Sequence, residues 1–287
     1  MPSYLITGAK GQLGQCFQAI SKEFPKNTLI FANQNEVDLT RPETLKKSFN
    51  KQPFEGIINC AAYTNVDNAE EEFEMAYRIN AEGLKNLSIF AEKKELSVVN
   101  FSTDHIFDGT QSIPYNENDI PNPINSYGQS KFEGEKMLKR FKGKHTTFRL
   151  SWLFSPYGNN FVRTILKLSK AKKKIKVVND QWGCPTYGIE LARMVLTYLE
   201  KPQFFDYNCY HFTQQIPVTW FDFAHKIISF NKISCKVIPC STSEYPTKAK
   251  RPQYSVLDTT RIENHLLLKP ITWDIALEDC LDRIKVL

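Results

Sequence analysis

The stretch that most constrains the fold lies within the first fourteen residues. Tyr4-Leu-Ile-Thr7 is a short apolar run, Gly8-Ala-Lys-Gly11-Gln-Leu-Gly14 comes directly after it, and a helical pattern begins at about Gln12. A strand that turns directly into a helix needs residues without a Cβ. Gly8 permits the tight turn, Gly11 lets the backbone approach a pyrophosphate, and Gly14 lets the helix pack close to the strand. The helix N-terminus then offers free N–H groups and a positive dipole end to phosphate. The spacing is G-x-x-G-x-x-G rather than G-x-G-x-x-G, so a purely structural turn is the competing reading of the glycines alone.

Beyond the glycines the chain alternates strand and helix. Thr28-Leu-Ile-Phe-Ala32 reads as a second strand, and a helix runs from Arg41 to about Lys51. The end of the second strand is where an acid would hold a ribose or an arginine a 2′-phosphate. Here the chain has Asn33-Gln-Asn35, with Lys10 and Arg41 as the nearest cations, so this position does not choose between NADP and NAD. Asp38-Leu39 either holds an adenine or starts a turn. Gly56-Ile-Ile-Asn-Cys-Ala-Ala-Tyr-Thr64 is a buried strand ending in small residues, which leaves room for a flat cofactor. A long helix through Ala76, Ile79, Leu84, Leu87 and Phe90 has core spacing, and Asn80 on it is expected to make a buried structural hydrogen bond. Leu96 to Phe101 forms the next strand, ending in Ser102-Thr-Asp-His105, and Phe148 to Phe154 reads as another, with Trp152 near its end. The alternation predicts a doubly wound parallel α/β sheet whose ligands lie beyond the carboxyl ends of its strands.

Chemistry enters with Tyr127-Gly-Gln-Ser-Lys131. Tyr and Lys four apart share one helix face. A phenol ordinarily titrates near pH ~10, and an adjacent ammonium stabilises the phenolate and lowers that value. Such a pair can pass a proton to or from a substrate oxygen. The spacing alone occurs by chance on many amphipathic helices. Its context carries the reading: Thr103 ends a central strand, twenty-four residues before Tyr127, and the glycine triplet stands at the N-terminus. Thr103, Tyr127 and Lys131 thus occur in the order used by short-chain dehydrogenases. His105 is expected to line the pocket rather than to catalyse.

The 287 residues are enough for one large or two modest domains, read as a dinucleotide-binding part over 1–150 and a substrate part over 151–287, some of which returns to the sheet. Net charge is +6, with lysines scattered except at Lys170-Ala-Lys-Lys-Lys-Ile-Lys176, which reads as a solvated helix end or loop. Nucleic-acid binding would want a larger basic excess interleaved with aromatics, whereas an anionic small substrate suits this one. No run is long and apolar enough to span a membrane, and Met1-Pro-Ser-Tyr-Leu-Ile leads straight into the glycine motif rather than reading as a signal peptide. Seven cysteines without a C-x-x-C pair fit reduced thiols in a cytoplasm.

Over nearly its whole length the sequence resembles the dTDP-4-dehydrorhamnose reductase family of extended short-chain dehydrogenase/reductases. The marks are Thr7 to Gly14, Asn59 to Glu70, Ser102-Thr-Asp-His-Ile-Phe-Asp-Gly109, Asn125 to Lys131, Gly158 to Arg163, Asp180-Gln-Trp-Gly-Cys-Pro-Thr186, Trp220-Phe-Asp-Phe-Ala224 and Tyr245 to Ser255. The later motifs separate this family from other sugar-nucleotide enzymes that share only the N-terminal half. The resemblance implies a Rossmann-like fold with a smaller C-terminal α/β substrate-binding domain. It further implies reduction of a nucleotide-linked 4-keto-6-deoxy sugar by NADPH or NADH, Tyr127 as proton donor, Lys131 as its partner and ribose contact, and Thr103 on the C4 carbonyl. Gly11, Gln12 and Leu13 would hold the pyrophosphate, with Gly8 and Gly14 also in the cofactor loop, Asp38 and Leu39 the adenine, and Ala62, Tyr63 and Thr64 the middle of the cofactor. Thr103, Asp104 and Trp152 would contact the sugar. Arg251 is a candidate for the diphosphate, its guanidinium fork suiting phosphate, with a structural salt bridge as the alternative.

The chain departs from the family pattern at His105, where Tyr is usual, and at Trp182, where an aliphatic residue or Tyr is usual; both flank the expected sugar pocket. Some members hold magnesium through glutamates between subunits; Glu190 matches one ligand, but position 15 is Gln, so no metal is assigned. The resemblance leaves room for a homodimer. It also extends to the regulatory β subunit of methionine adenosyltransferase, a binding protein on the same fold, and the intact Thr103, Tyr127 and Lys131 favour the enzyme.

Overall fold

The computed structural model describes residues 1–286, so the last residue of the expected 151–287 part lies outside the description. Five strands, β1 (Ser3–Thr7), β2 (Thr28–Phe31), β3 (Gly56–Asn59), β4 (Ser97–Thr103) and β5 (His145–Leu150), run parallel, and Cys209–His211 joins them beside β5. Across the sheet the order is Cys209–His211, β5, β4, β3, β1, β2. Leu5 pairs with Ile57 and Ile57 with Val98, while Ile6 pairs with Ile58 and Ile58 with Val99. Because side chains alternate along a strand, the first three project to one face and the second three to the other. Two cores result: Leu5, Ile57 and Val98 pack with Leu45 and Leu87, while Ile6, Ile58 and Val99 pack with Phe17, Phe148, Ile189 and Phe223. Helices cover both faces, which is why β3 is buried throughout. The second core runs without a break from the first strand to Leu277.

The chain leaves β1 for β2 on one side and returns to β3 on the other. This reversal opens a crevice at the carboxyl edge between β1 and β3, where open α/β sheets take their ligands. Helix α1 (Gln12–Ile20) rises from it and buries Leu13, Cys16, Phe17 and Ile20, one face at helical spacing.

Two sequence expectations need correction. The strand expected over Phe148 to Phe154 is His145–Leu150, and Leu153–Phe154 pairs separately with Thr186–Tyr187. Trp152, with φ +48, breaks the extended run between them. The long helix expected around Asn80 is instead Phe73–Tyr77, a π-turn over Arg78–Glu82 and the helix Gly83–Lys93. The lysine run ends the Phe161–Ala171 helix and enters the strand Lys174–Val178, where Ile175 and Val177 are buried and Lys174 and Lys176 exposed. All seven cysteines are free thiols. Among the described residues no helix is long and apolar enough to cross a membrane.

Candidate active site

The crevice is built from close backbone approaches. Gly8 has φ +62, and a Cβ there would stand 2.7 Å from the backbone of Cys60 and Ala61, so the loops after β1 and β3 touch at this glycine. A Cβ on Gly14 would lie 2.5 Å from the Gly8 carbonyl oxygen, and α1 has Gly11 as its N-cap, with no side chain capping its first turn. The open N–H groups at that helix end, with small residues facing them, fit a dinucleotide diphosphate. A cavity of about 730 Å³ extends from Gly11, Gln12 and Leu13 past Ala62 and Thr64 to Tyr127 and Lys131. A second, of about 350 Å³, is lined by Gly8, Gln34, Asp38 and Leu39 and shares Lys10, Gly11, Cys60 and Ala62 with the first. Gly8→Ala forces a left-handed alanine into a closed space. It is expected to lower stability by about 1–3 kcal/mol and to weaken nicotinamide-cofactor binding at least about tenfold. Thermal denaturation and a fluorescence titration measure the two, and a variant with wild-type affinity would mean that this loop does not shape the site.

The Ser126–Leu138 helix brings Tyr127 and Lys131 to β4. Its N-cap is Asn125, whose side chain accepts from Gly128 N, and Glu70 accepts from both the backbone and the hydroxyl of Ser126. Two glycines let it dock closely: a Cβ on Gly128 would stand 2.0 Å from the His105 carbonyl oxygen, and one on Gly134 2.2 Å from that of Asn80. Asn80, as expected, makes buried structural bonds; it accepts from Tyr63 N and donates to the Tyr63 carbonyl and the Ser130 hydroxyl.

Tyr127, Lys131 and Thr103 converge on the large cavity. Lys131 is buried and donates from Nζ to the Phe101 carbonyl at 2.7 Å. Burial pulls its pKa down to about 8, opposed by the Glu135 carboxylate one helical turn further on. Burial pushes Tyr127 up to about 12, with the Thr103 hydroxyl opposing and Asp104 adding to the rise. The expected depression of the phenol by Lys131 is therefore not what this arrangement shows: desolvation dominates, and the ammonium is directed at Phe101. A phenol held protonated is nonetheless the form a proton donor requires.

Around them, Thr103 donates to Asp104 and accepts from His105 N, and Ser151 donates to the other Asp104 oxygen. The Ser102 hydroxyl, on the cavity wall, is buried without a partner. Trp152 lies flat on Trp220, centroids 3.5 Å apart at 11°, which holds its unusual backbone conformation in place. Arg251 lines the cavity, donating to Asp67 at 2.8 Å and to the Ala249 carbonyl. Asp38 accepts from Thr40 and Arg41, so its carboxylate also shapes the turn. Tyr63 lines neither of these two cavities; its hydroxyl donates to Glu72. Glu190 accepts from Gln214 and Ile271 N within the chain, and no group of three or more metal-ligating side chains forms among the described residues.

Residues 3–286 match a family model described as "RmlD substrate binding domain". The chain is 37% identical over 289 residues to the dTDP-4-dehydrorhamnose reductase of Aggregatibacter actinomycetemcomitans, covering 97% of this chain and 98% of that protein. It belongs to the dTDP-4-dehydrorhamnose reductase family. A family structure from Clostridium acetobutylicum superposes with TM-score 0.93 at 38% identity, covering 99% of each chain. The one from Bacillus anthracis, in complex with NADP, gives 0.92 at 35% identity, covering 99% of this chain and 100% of that one. Within this family fold, Trp220 and Gln181 line the cavity without having been singled out as site residues from the sequence. Both stand in motifs that carry the resemblance, and no local spacing ties either to Trp152 or Tyr127.

Proposed function

We propose that this chain is an NADPH-dependent reductase of dTDP-4-dehydro-6-deoxy-L-mannose, forming dTDP-L-rhamnose for surface polysaccharide, with NADH as an alternative donor. The observation that carries the reading is the meeting of Tyr127, Lys131 and Thr103 in one cavity at the sheet's crevice, in a chain related to reductases over its full length. When bound, the dihydronicotinamide supplies the hydride. Gly8, Gly11 and the start of α1 hold its diphosphate, Ala62 and Thr64 its middle, and Asp38 and Leu39 its adenosine end. Lys131 binds the ribose and keeps positive charge below the reacting oxygen. Tyr127 gives its Oη proton to the sugar oxygen as negative charge develops there. The Thr103 hydroxyl has one hydrogen; it serves Asp104 in the free site and turns to the reacting oxygen when substrate arrives. The Tyr127 hydroxyl, already aimed into the site, acts more on the transition state than on the ground state. Trp152 on Trp220 forms the sugar wall, and Arg251 at the cavity mouth meets the nucleotide diphosphate. The first 150 residues serve the cofactor and the later chain the sugar nucleotide.

Absorbance at 340 nm, followed with the keto sugar made in situ from dTDP-glucose and with NADPH and NADH in parallel, tests the reading; no oxidation of either cofactor would overturn it. A pH profile adds a second check. Lys131 must be charged, and that charge is lost as pH rises through its folded pKa of about 8, well before Tyr127 ionises near about 12. kcat/KM is expected to be level at neutral pH and to fall about tenfold per unit above the Lys131 value. A profile level to pH ~10 would show that the ammonium is dispensable.

A further inference from the structure

His105 sits in the short turn after β4, its ring on the cavity wall and edge-on to Tyr127, centroids 5.6 Å apart at 74°. A neighbour settles which ring nitrogen carries hydrogen. The Asn125 side-chain oxygen is committed to Gly128 N at 2.8 Å, so its amide nitrogen points the other way. That nitrogen donates to the Lys250 carbonyl at 2.8 Å and lies 2.9 Å from His105 Nδ1. A carbonyl can only accept, so one amide hydrogen belongs to Lys250 and the other to Nδ1. Turning the carboxamide over would set oxygen against oxygen at Lys250 and N–H against N–H at Gly128. Nδ1 is therefore the acceptor, and Nε2 bears the hydrogen. Nε2 has no hydrogen-bond partner among the described residues, and it is not one of the polar atoms sealed away from solvent. Protonating the ring would drive a second hydrogen at Nδ1 into the Asn125 amide. Burial and the nearby Arg251 also disfavour the cation, opposed by Asp104 and Asp67.

We propose that His105 is a specificity-determining residue: a fixed, neutral Nε2–H donor that binds an uncharged oxygen of the sugar nucleotide beside the carbonyl served by Tyr127. The proposal rests on the reductase reading above and assigns one contact within it. A donor locked in one tautomer accepts a hydroxyl, ether or carbonyl oxygen and rejects a methyl or N–H group in the same place, because its own hydrogen would be left unpaired. The phosphates fall to the cationic Arg251, so the two side chains divide the ligand by charge.

Steady-state kinetics on H105F and H105Q, beside wild type, test it. His105→Phe keeps a planar ring against Tyr127 and removes the donor, and His105→Gln returns an N–H at a similar reach. The expected result is an about tenfold rise in sugar-nucleotide KM for H105F, with kcat within a few-fold of wild type, NADPH affinity unchanged and most of the loss recovered in H105Q. An unchanged KM in H105F, or an H105Q variant as impaired as H105F, overturns the assignment. Should H105F fail to fold, 15N spectra of the wild-type protein decide. An Nε2–H tautomer whose signal moves on adding dTDP-L-rhamnose supports the contact, and an Nδ1–H tautomer or an unmoved signal overturns it. Wild type without turnover overturns the reductase reading itself, and this contact with it; wild-type turnover with an unaffected H105F removes His105 alone.

Discussion

Tyr127→Phe is expected to lower turnover by about 10²–10⁴ while leaving cofactor affinity and folding near wild type. The change deletes one oxygen and keeps the ring, so the edge contact with His105 survives. The lost hydroxyl has the Thr103 side chain beside it and no charged partner, so its removal leaves no buried ion uncompensated. In the proposed mechanism the hydroxyl takes with it the proton for the forming alkoxide, and no other acid of the cavity wall lies on the same helix face as Lys131. Residual turnover reports the Thr103 hydroxyl and substrate positioning alone. A single-turnover trace at 340 nm, set against the NADPH dissociation constant of the same variant, separates chemistry from binding. Wild-type turnover in this variant would remove Tyr127 from the mechanism and leave the reductase reading without its proton donor.

The parts of this site that the sequence displays are those whose chemistry is local. The glycine triplet is legible because a strand-to-helix turn needs a left-handed residue and two close backbone approaches, all within seven positions. Tyr127 and Lys131 are legible because a helix converts a spacing of four into a shared face. Thr103 is legible because strand ends in a parallel sheet form the ligand edge. The hidden features depend on contacts between distant segments. The Tyr127 pKa follows burial rather than its helical neighbour, and burial is set by the whole fold. Arg251 faces the cavity and also pairs with Asp67 at 2.8 Å, and neither placement follows from its local sequence. The end of β5 is misplaced from sequence because Trp152, Leu153 and Phe154 prolong the apolar pattern past Leu150, whereas Trp152 is left-handed and stacks on Trp220, far along the chain. The π-turn at Asn80 likewise serves Tyr63 and Ser130, neither of which is local to it.

The same dependence on distant contacts gives the largest expected change in stability, at a pair the sequence does not announce. Arg149 on β5 is buried, and its guanidinium forks onto both carboxylate oxygens of Glu135, with Nη2 to Oε2 at 2.8 Å. Beyond it stands neutral His211, whose Nδ1 donates to the Tyr115 carbonyl, leaving the bare Nε2 towards Arg149. Arg149→Met leaves the Glu135 carboxylate mostly buried and alone, a loss of about 3–5 kcal/mol measurable by urea denaturation. Removing both charges in Glu135→Leu/Arg149→Met is expected to restore most of that stability, since paired apolar side chains replace a desolvated ion pair at little net cost. Catalysis should not recover in parallel. Glu135 is the one charge that holds the Lys131 pKa up against burial, so without it the lysine gives up its proton below about 8. The falling limb of kcat/KM then moves to lower pH in a protein as stable as wild type. A double variant that stays unstable would place the effect in the packing of Arg149 over the Phe107 ring, 5.4 Å from its centroid, and against His211, and an unmoved limb would show that Lys131 does not feel Glu135. Stability recovered with the limb displaced would show that this buried ion pair sets the charge state of Lys131 rather than the strength of the fold.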